Sequence, residues 1–280
     1  MKKALGLIPY TGNKEKLLPG VSKYFPKHYN RFVDAFCGGL SVSLYVEGDV
    51  LANDYDHRLI DAYKAIDECP DPVFMIKRII AENGLSRDDK DSYMTFRKKY
   101  NENPDPLSLF VLIQHSFSNI NRHNRKGEFN ANFGRRTFNE NAVERVLNFK
   151  EENKDGRINF TSGRYDEIEI LPDDFVFLDP PYWITSAEYN KFWSEEEEIK
   201  FYMWIESLMS SGAKFGLSNV THHKGKVNNH LLDFIERNDV SVFELDKTYC
   251  LDRSGGKKSD TKEVYVTNVK ICGYTQDSRR

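Results

Sequence analysis

The sequence is short of paired cysteines, of long apolar runs and of net charge, and each shortage removes a class of protein. Four cysteines stand apart at Cys37, Cys69, Cys250 and Cys272. None sits in a C-x-x-C pair, and His222-His223 has no cysteine nearby, so neither a disulfide scaffold nor a structural zinc site is expected; four reduced thiols are. No apolar stretch approaches the roughly 18 residues a membrane helix needs. The run after Lys2-Lys3 is too short and is broken by Pro9 and Gly12, so no signal peptide is expected. With 40 basic residues against 43 acidic ones, the formal charge of -3 excludes a polybasic protein that holds nucleic acid by bulk charge. It leaves room for a local basic patch, because binding depends on where charge sits. Internal repeats and low-complexity linkers are also missing. What is present suffices for a packed core: of 280 residues, 39% are hydrophobic and 13% aromatic, enough for one large domain or two modest ones.

Strand-like runs fall in two groups. Arg31 to Phe36 and Val50 to Asn53 come first. After position 155 follow Ile158 to Phe160, Phe175 to Leu178, Lys214 to Leu217, Val240 to Leu245 and Val264 to Val269. Phe175 to Leu178 (FVFL) is continuously apolar, as in a strand buried on both faces of a parallel sheet. The last two runs alternate more and predict an antiparallel pair. Between the groups, Leu59 to Ile66, Val73 to Ala81, Ser92 to Tyr100 and Leu107 to Phe117 carry apolar residues at spacings of three and four, punctuated by Pro70, Pro72, Pro104 and Pro106. The pattern predicts an α/β sheet interrupted by a mostly helical insertion. One sheet shared by both flanks is the economical arrangement, since two lone parallel strands make a poor domain. Ser194 followed by Glu195, Glu196 and Glu197 predicts a capped helix with a solvated acidic first turn. Its face Ile199, Tyr202, Ile205 and Leu208/Met209 is expected on the sheet.

Two strand ends carry chemistry. Phe36-Cys37-Gly38-Gly39 follows the first strand, and its glycines permit a sharp turn and close approach to a ligand. Asp54 ends the second strand, where a carboxylate can accept hydrogen bonds from ribose hydroxyls. Alone the signal is weak, because a Gly-Gly turn is more often simply a turn. Cys37 has no adjacent base to make it a nucleophile. Asp179-Pro180-Pro181-Tyr182 follows FVFL, at the carboxyl end of a buried strand, where ligands bind in open parallel sheets. The prolines fix the direction of their carbonyls. A carboxylate and a proline carbonyl can accept both hydrogens of an exocyclic amine, and a tyrosine can stack on the flat ring beside it. A bare D-P-P is more often a strand end with a proline turn; an apolar strand plus D-P-P-Y is a sharper pattern. Residues 117–137 hold Arg122, Arg125, Lys126, Arg135 and Arg136 against Glu128 alone, interleaved with asparagines and aromatics. Arginine reads guanine edges and phosphates, and asparagine reads adenine edges. A solvated hairpin that binds nothing is the competing reading.

FVFLDPPY resembles the catalytic motif of S-adenosylmethionine-dependent amino-methyltransferases. AFCGG is similar to their cofactor loop, and Tyr10-Thr11-Gly12-Asn13-Lys14 to the motif completing the cofactor pocket. The order YTGNK, FCGG, helical insertion, DPPY resembles the Dam-type (D12 class) DNA adenine-N6 methyltransferases. Further likeness in RFVDAFCGGLSVSL, LAND, YNKFWS and KFGLSNV points to their bacteriophage-type members. The likeness runs from about Ile8 to Val266, weakest in residues 67–105 and 245–262.

The resemblance implies a Rossmann-like S-adenosylmethionine-dependent methyltransferase sheet with an inserted, mostly helical target-recognition domain carrying a β-hairpin. Residues 1–56 and 150–280 would be catalytic, and 57–149 would recognise DNA. Tyr10, Lys14, Phe36, Gly38, Gly39, Asp54 and Asp179 would contact the cofactor. Asp179 and Pro180 would accept hydrogen bonds from the target amine, and Tyr182 would stack on a flipped adenine. The match FSN-x-x-R makes Arg122 the candidate guanine reader, with Ser118, Asn119 and Arg136 as further DNA contacts. The family's phage-type pattern has a proline where Asn132 stands, which puts the hairpin tip in question; GATC is the expected target. The expected partner is double-stranded DNA, with no metal and no membrane, and the protein acts as a monomer or weak dimer in the cytoplasm of a bacterial or phage-infected cell. The alternatives are an amino-methyltransferase acting on RNA or another base, and a DNA-binding regulator with an inactive methyltransferase fold.

Overall fold

The computed structural model describes residues 5–9, 12–185, 193–245 and 260–270. In chain order the elements are α1 (Leu18–Val21), β1 (Arg31–Asp34), α2 (Ser41–Tyr45), β2 (Asp49–Asp54), α3 (His57–Glu68), α4 (Pro72–Glu82), α5 (Lys90–Glu102) and α6 (Pro106–His115). There follow α7 (Glu140–Glu152), β3 (Ile158–Ser162), β4 (Phe175–Leu178), α8 (Glu195–Ser210), β5 (Lys214–His223), β6 (Lys226–Val227), α9 (Asn229–Arg237), β7 (Ser241–Glu244) and β8 (Thr261–Thr267). The chain forms two compact units, residues 1–15 with 37–164, and residues 16–36 with 165–280.

The first unit pairs β2 with β3 in parallel, Val50 opposite Ile158 through Asp54 opposite Ser162. Helices α3, α4 and α5 pack on α6, whose residues Ser108 to His115 are all buried. Two of the four prolines predicted to punctuate this region start helices. Pro72 and Pro106 follow the capping residues Asp71 and Asp105, whose carboxylates accept from Phe74 N and Ser108 N. Proline is tolerated there because the first-turn N–H groups have no intrahelical partner. Asp56, Asp89 and Asn139 cap α3, α5 and α7 in the same way.

The second unit holds β1, β4 and β5 in parallel, with Val33 opposite Val176 and Phe177 opposite Gly216. Then β8 pairs antiparallel with β5, and β7 antiparallel with β8. The architecture is α/β with a mixed sheet, and the expected antiparallel closing pair is β7–β8. FVFL is buried at all four positions. Gly216 is required by packing: a Cβ there would meet the Tyr265 hydroxyl at 1.9 Å.

Helix α8 differs from expectation in two ways. Ser194 caps it, accepting from Glu197 N, but the buried residues are Glu198, Phe201, Tyr202, Ile205 and Leu208, and Ile199 is 41% exposed. The buried face is therefore rotated from the expected one. Phe201 fixes it by packing against Tyr165, Trp193 and Phe36. Nor is the acidic turn wholly solvated. Glu198 is fully buried, accepting from Trp193 Nε1, from Tyr202 OH at 2.7 Å and from Asn228 Nδ2 at 2.8 Å. Burial, then the Glu198 charge, hold the Tyr202 phenol well above its usual pKa, so it remains a donor. A buried carboxylate survives only with such donors. Glu198→Ala strands all three and should cost about 3 kcal/mol or more of unfolding free energy in urea denaturation, and Glu198→Gln less.

Candidate active site and nucleic-acid interface

In the first unit the chain turns at Cys37–Leu40, immediately before α2. Cys37 N donates to Asn53 O at 2.8 Å and Leu40 N to Cys37 O at 2.8 Å. Gly38 has φ +43 and Leu40 φ +63. Gly38 N donates to Asp54 Oδ2 at 3.1 Å, while Asp56 N donates to Asp54 Oδ1 at 2.9 Å. The Tyr63 hydroxyl donates to Gly38 O and locks the turn against α3. Burial raises the Asp54 carboxyl to about 6 despite these amide donors. Gly39 lies against Gly6, where a Cβ would meet Gly39 O at 2.5 Å. The ammonium of Lys14 is buried and donates to Gly12 O at 3.4 Å, and Lys14 N donates to Ser41 Oγ at 3.4 Å. An unforeseen clamp holds this N-terminal segment: Arg145 of α7 forks onto the Glu15 carboxylate and also donates to Gly6 O at 2.6 Å. Tyr10 lies outside the described residues.

The set fits a nucleoside carrying an amino-acid chain. A desolvated carboxylate awaits hydroxyl donors, glycines open backbone approach, and a buried ammonium lies in the N-terminal motif. Phe36 falls in the second unit, its ring 5.6 Å from Tyr165 and 5.9 Å from Trp193.

In the second unit Asp179 to Tyr182 follow β4 directly. Pro180 is buried; Asp179 and Tyr182 are half-buried. The Tyr182 hydroxyl lies 3.1 Å from Asp179 Oδ1, 3.0 Å from Ser218 Oγ and 3.0 Å from Glu263 Oε1. Burial, then the Asp179 and Glu263 charges, hold its pKa well above the usual phenol value, so it remains protonated. Ser218 and Glu263 were not foreseen. They come from β5 and β8, and no chain-local pattern links them to D-P-P-Y. Thr185 N and Oγ1 both donate to Tyr182 O at 2.9 Å, fixing the turn behind the ring. Residues 189–192 of the YNKFWS match lie outside the described residues.

Residues 116–134 form a loose hairpin with isolated bridges at Ser116–Phe133 and His123–Phe129. Continuous strand pairing is replaced by side chains of α5. Asn101 donates to Phe129 O at 3.1 Å and accepts from Phe129 N at 2.8 Å, and Tyr93 OH and Arg97 donate to Ala131 O at 3.0 and 3.1 Å. Gly134 crosses Ser116 so closely that a Cβ would meet Ser116 O at 2.2 Å. Arg122 donates from Nε to Asn130 Oδ1 at 2.9 Å and from Nη2 to Asn130 O at 2.7 Å, so the guanidinium is aligned within the hairpin. Asn119 is buried with φ +53 and accepts from the exposed Arg136 at 3.0 Å; it orients an arginine rather than reaching outward. Ser118, half-buried, has φ +57. Arg125, Lys126 and Arg135 are exposed. Lys90, Arg97, Arg135, Phe117 and Phe133 help line a cleft of about 520 Å³. Asn121 Nδ2 donates to Asp56 Oδ2 at 2.8 Å, tying the hairpin to the cap of α3. His123 lies 4.0 Å from Asp56, but burial lowers it to about 4, so at neutral pH the contact is not an ion pair.

Among the described residues no group of three or more His, Cys, Asp or Glu could hold a metal ion, and no helix is long and apolar enough to cross a membrane. Cys37 and Cys69 are thiols not joined in a disulfide; Cys250 and Cys272 lie outside the described residues.

Several known proteins are similar to this chain in sequence. Modification methylase StsI of Streptococcus sanguinis is 36% identical over 278 residues, covering 94% of this chain and 42% of that protein. Type II methyltransferase M.FokI of Planomicrobium okeanokoites is 30% identical over 275 residues, covering 93% and 42%. The DNA adenine methylase of Escherichia coli (strain K12) is 27% identical over 199 residues, covering 68% and 69%. The chain thus spans less than half the length of the two modification methylases. The family model described as D12 class N6 adenine-specific DNA methyltransferase matches residues 10–248. Strand-end carboxylates, glycine turn and D-P-P-Y all fall within that match, and the chain belongs to the D12 class of N6 adenine-specific DNA methyltransferases.

Proposed function

We propose that this chain transfers the methyl group of S-adenosylmethionine to N6 of an adenine flipped out of double-stranded DNA, within a short specific sequence. The observation that carries the reading is D-P-P-Y at the end of buried β4, with its tyrosine hydroxyl fixed by three oxygen atoms. The sulfonium cofactor supplies an already activated methyl group. Tyr10, Lys14, Phe36, Gly38, Gly39 and Asp54 bind it, Asp54 accepting from the ribose hydroxyls. Adenine N6 is a weak nucleophile because its lone pair is conjugated into the ring. Asp179 and the Pro180 carbonyl accept its two hydrogens and favour the positive charge that develops on nitrogen. Tyr182 stacks on the base. A base inside a duplex cannot reach this pocket, and pocket contacts offset the few kcal/mol of unstacking. Residues 1–56 and 150–280 carry catalysis and 57–149 recognition.

In the recognition segment, Arg122 reads a guanine while Ser118 and Arg136 position the DNA, Asn119 holding Arg136 from within. The match to the GATC-reading hairpin supports GATC as the target. Asn132, in place of the family's proline, stands at the open end of the hairpin opposite Phe117 and not at its tip, which is at residues 124–128; its carbonyl accepts from Phe117 N at 2.8 Å, so the departure changes a side chain there and not that pairing. The protein works as a monomer or weak dimer on DNA, in the bacterial or phage-infected cytoplasm where such DNA lies. Mapping methylated bases in the genome of cells expressing the chain tests the reading. N6-methyladenine at GATC supports it in full, another fixed adenine site removes only GATC, and no adenine methylation refutes it.

Asp179→Ala should lower turnover by about 10²–10³-fold or more with an unchanged melting temperature. Near-normal turnover would remove Asp179 as the amine acceptor. Arg122→Ala should cost about 1–3 kcal/mol of discrimination at one guanine, read from rates on single-substituted duplexes. A loss confined to salt-sensitive affinity would make Arg122 a phosphate contact instead.

Asp54 also sets a pH dependence. Its carboxyl is raised to about 6 from 3.8, so the protonated form stabilises the fold. That contribution is complete below about 3.8 and is lost as pH rises through about 6. Asp54→Asn should therefore raise the melting temperature at pH 8, give no gain at pH 4, and weaken cofactor binding in calorimetry at pH 8.

A further inference from the structure

The Tyr182 hydroxyl has one hydrogen and two carboxylates within reach, Asp179 Oδ1 at 3.1 Å and Glu263 Oε1 at 3.0 Å, with Ser218 Oγ at 3.0 Å. Stacking on a base needs only the ring, which phenylalanine would supply. Nor does holding the turn call for a second acid: Thr185 already does so. Yet β8 places the carboxylate of Glu263, a residue only 8% exposed, against the same hydroxyl. Among the described residues, the charged groups around Tyr182 are Asp179 and Glu263, and Ser218 is its neutral neighbour.

Resting on the methyl-transfer reading above, we propose that Glu263 is a positioning residue for this reaction and receives, through the Tyr182 hydroxyl, the proton that leaves the methylated amine. The balance is as follows. The N6 lone pair forms the N–C bond, the S–C bond pair returns to sulfur, and the positive charge passes to nitrogen. The N6 proton moves to the Asp179 carboxylate. Tyr182 takes that proton from Asp179 and gives its own to Glu263, so the phenol is unchanged and Asp179 is again an anion. Without the relay the N6 proton goes no further than Asp179, the positive charge that builds on nitrogen during methyl transfer is drained less completely, and the transfer step itself slows. Alternating geometry on β8 makes the contact possible: Glu263 stands opposite Val220 of β5, two residues along from Ser218 opposite Tyr265.

The test compares wild type, Glu263→Gln, Glu263→Asp and Tyr182→Phe in single-turnover methylation of a duplex, in H₂O and D₂O. Alongside these go calorimetric titration of the cofactor and fluorescence of a duplex with 2-aminopurine at the target position. Glu263→Gln should lower the single-turnover rate by about 10-fold or more and bring out a solvent isotope effect that wild type lacks. Glu263→Asp should recover part of the rate. Cofactor affinity and 2-aminopurine signal should stay within about twofold of wild type, because neither involves proton transfer. Tyr182→Phe keeps the ring and should show the same isotope effect; the double variant should be no slower than the slower single one. A wild-type rate in Glu263→Gln overturns the inference, as does a loss that follows cofactor affinity or base flipping without an isotope effect. Should Glu263→Gln not fold, Tyr182→Phe decides alone, and a wild-type rate there overturns it. A wild-type chain that methylates no DNA refutes the functional reading itself, a separate result.

Discussion

A carboxylate taken out of water must find donors within the fold, and the functional parts of this protein are arranged around that requirement. Asp54 receives two backbone amides, one from the glycine turn and one from the cap of α3. This fixes the shape of the turn while leaving an acid that burial keeps near neutrality. Glu15 takes its donors from the α7 arginine and so anchors the N-terminal segment. Glu198 gathers an indole, a phenol and an amide, and joins the start of α8 to the cap of α9. Around Tyr182 the arrangement is reversed: one phenol hydroxyl stands within reach of two carboxylates, Asp179 and Glu263.

The two units solve different problems with this chemistry. In the first, neutral amides hold the Asp54 carboxylate beside the glycine turn. In the second, Tyr202 OH also accepts from Asn219 Nδ2 at 3.1 Å, so the buried network around Glu198 reaches β5 one residue from Ser218. Rigidity of β5 is thereby shared between the core and the tyrosine of D-P-P-Y. Fully satisfied networks of this kind hold side chains in single arrangements, which a short-range reaction geometry needs.

The parts of this design readable in the sequence are those local in the chain. FVFL, the glycine turn, Asp54 and D-P-P-Y each lie within a few residues, and a strand end explains them. Glu263 was not readable: it stands 81 residues beyond Tyr182 and reaches it only through antiparallel pairing of β8 with β5. The Glu15–Arg145 clamp, spanning 130 residues, escaped for the same reason. The face of α8 was misjudged because Tyr202, Ile205 and Leu208 satisfy two neighbouring stripes, and aromatic packing of Phe201 decided between them. The hairpin's basic and asparagine-rich composition was visible, while its support by α5 was not, since a side-chain amide standing in for a strand leaves no period to count.

That support has a consequence for how such proteins diversify. The backbone of residues 129–131 is gripped from behind by Tyr93, Arg97 and Asn101, and Gly134 is confined by the chain it crosses. Exposed side chains at Arg125, Lys126, Asn132 and Arg135 carry no part of that grip. On the proposed reading of the hairpin, the loop is a fixed mount with exchangeable teeth: new sequence preferences can arise by swapping its outward residues while the helix behind it stays as it is.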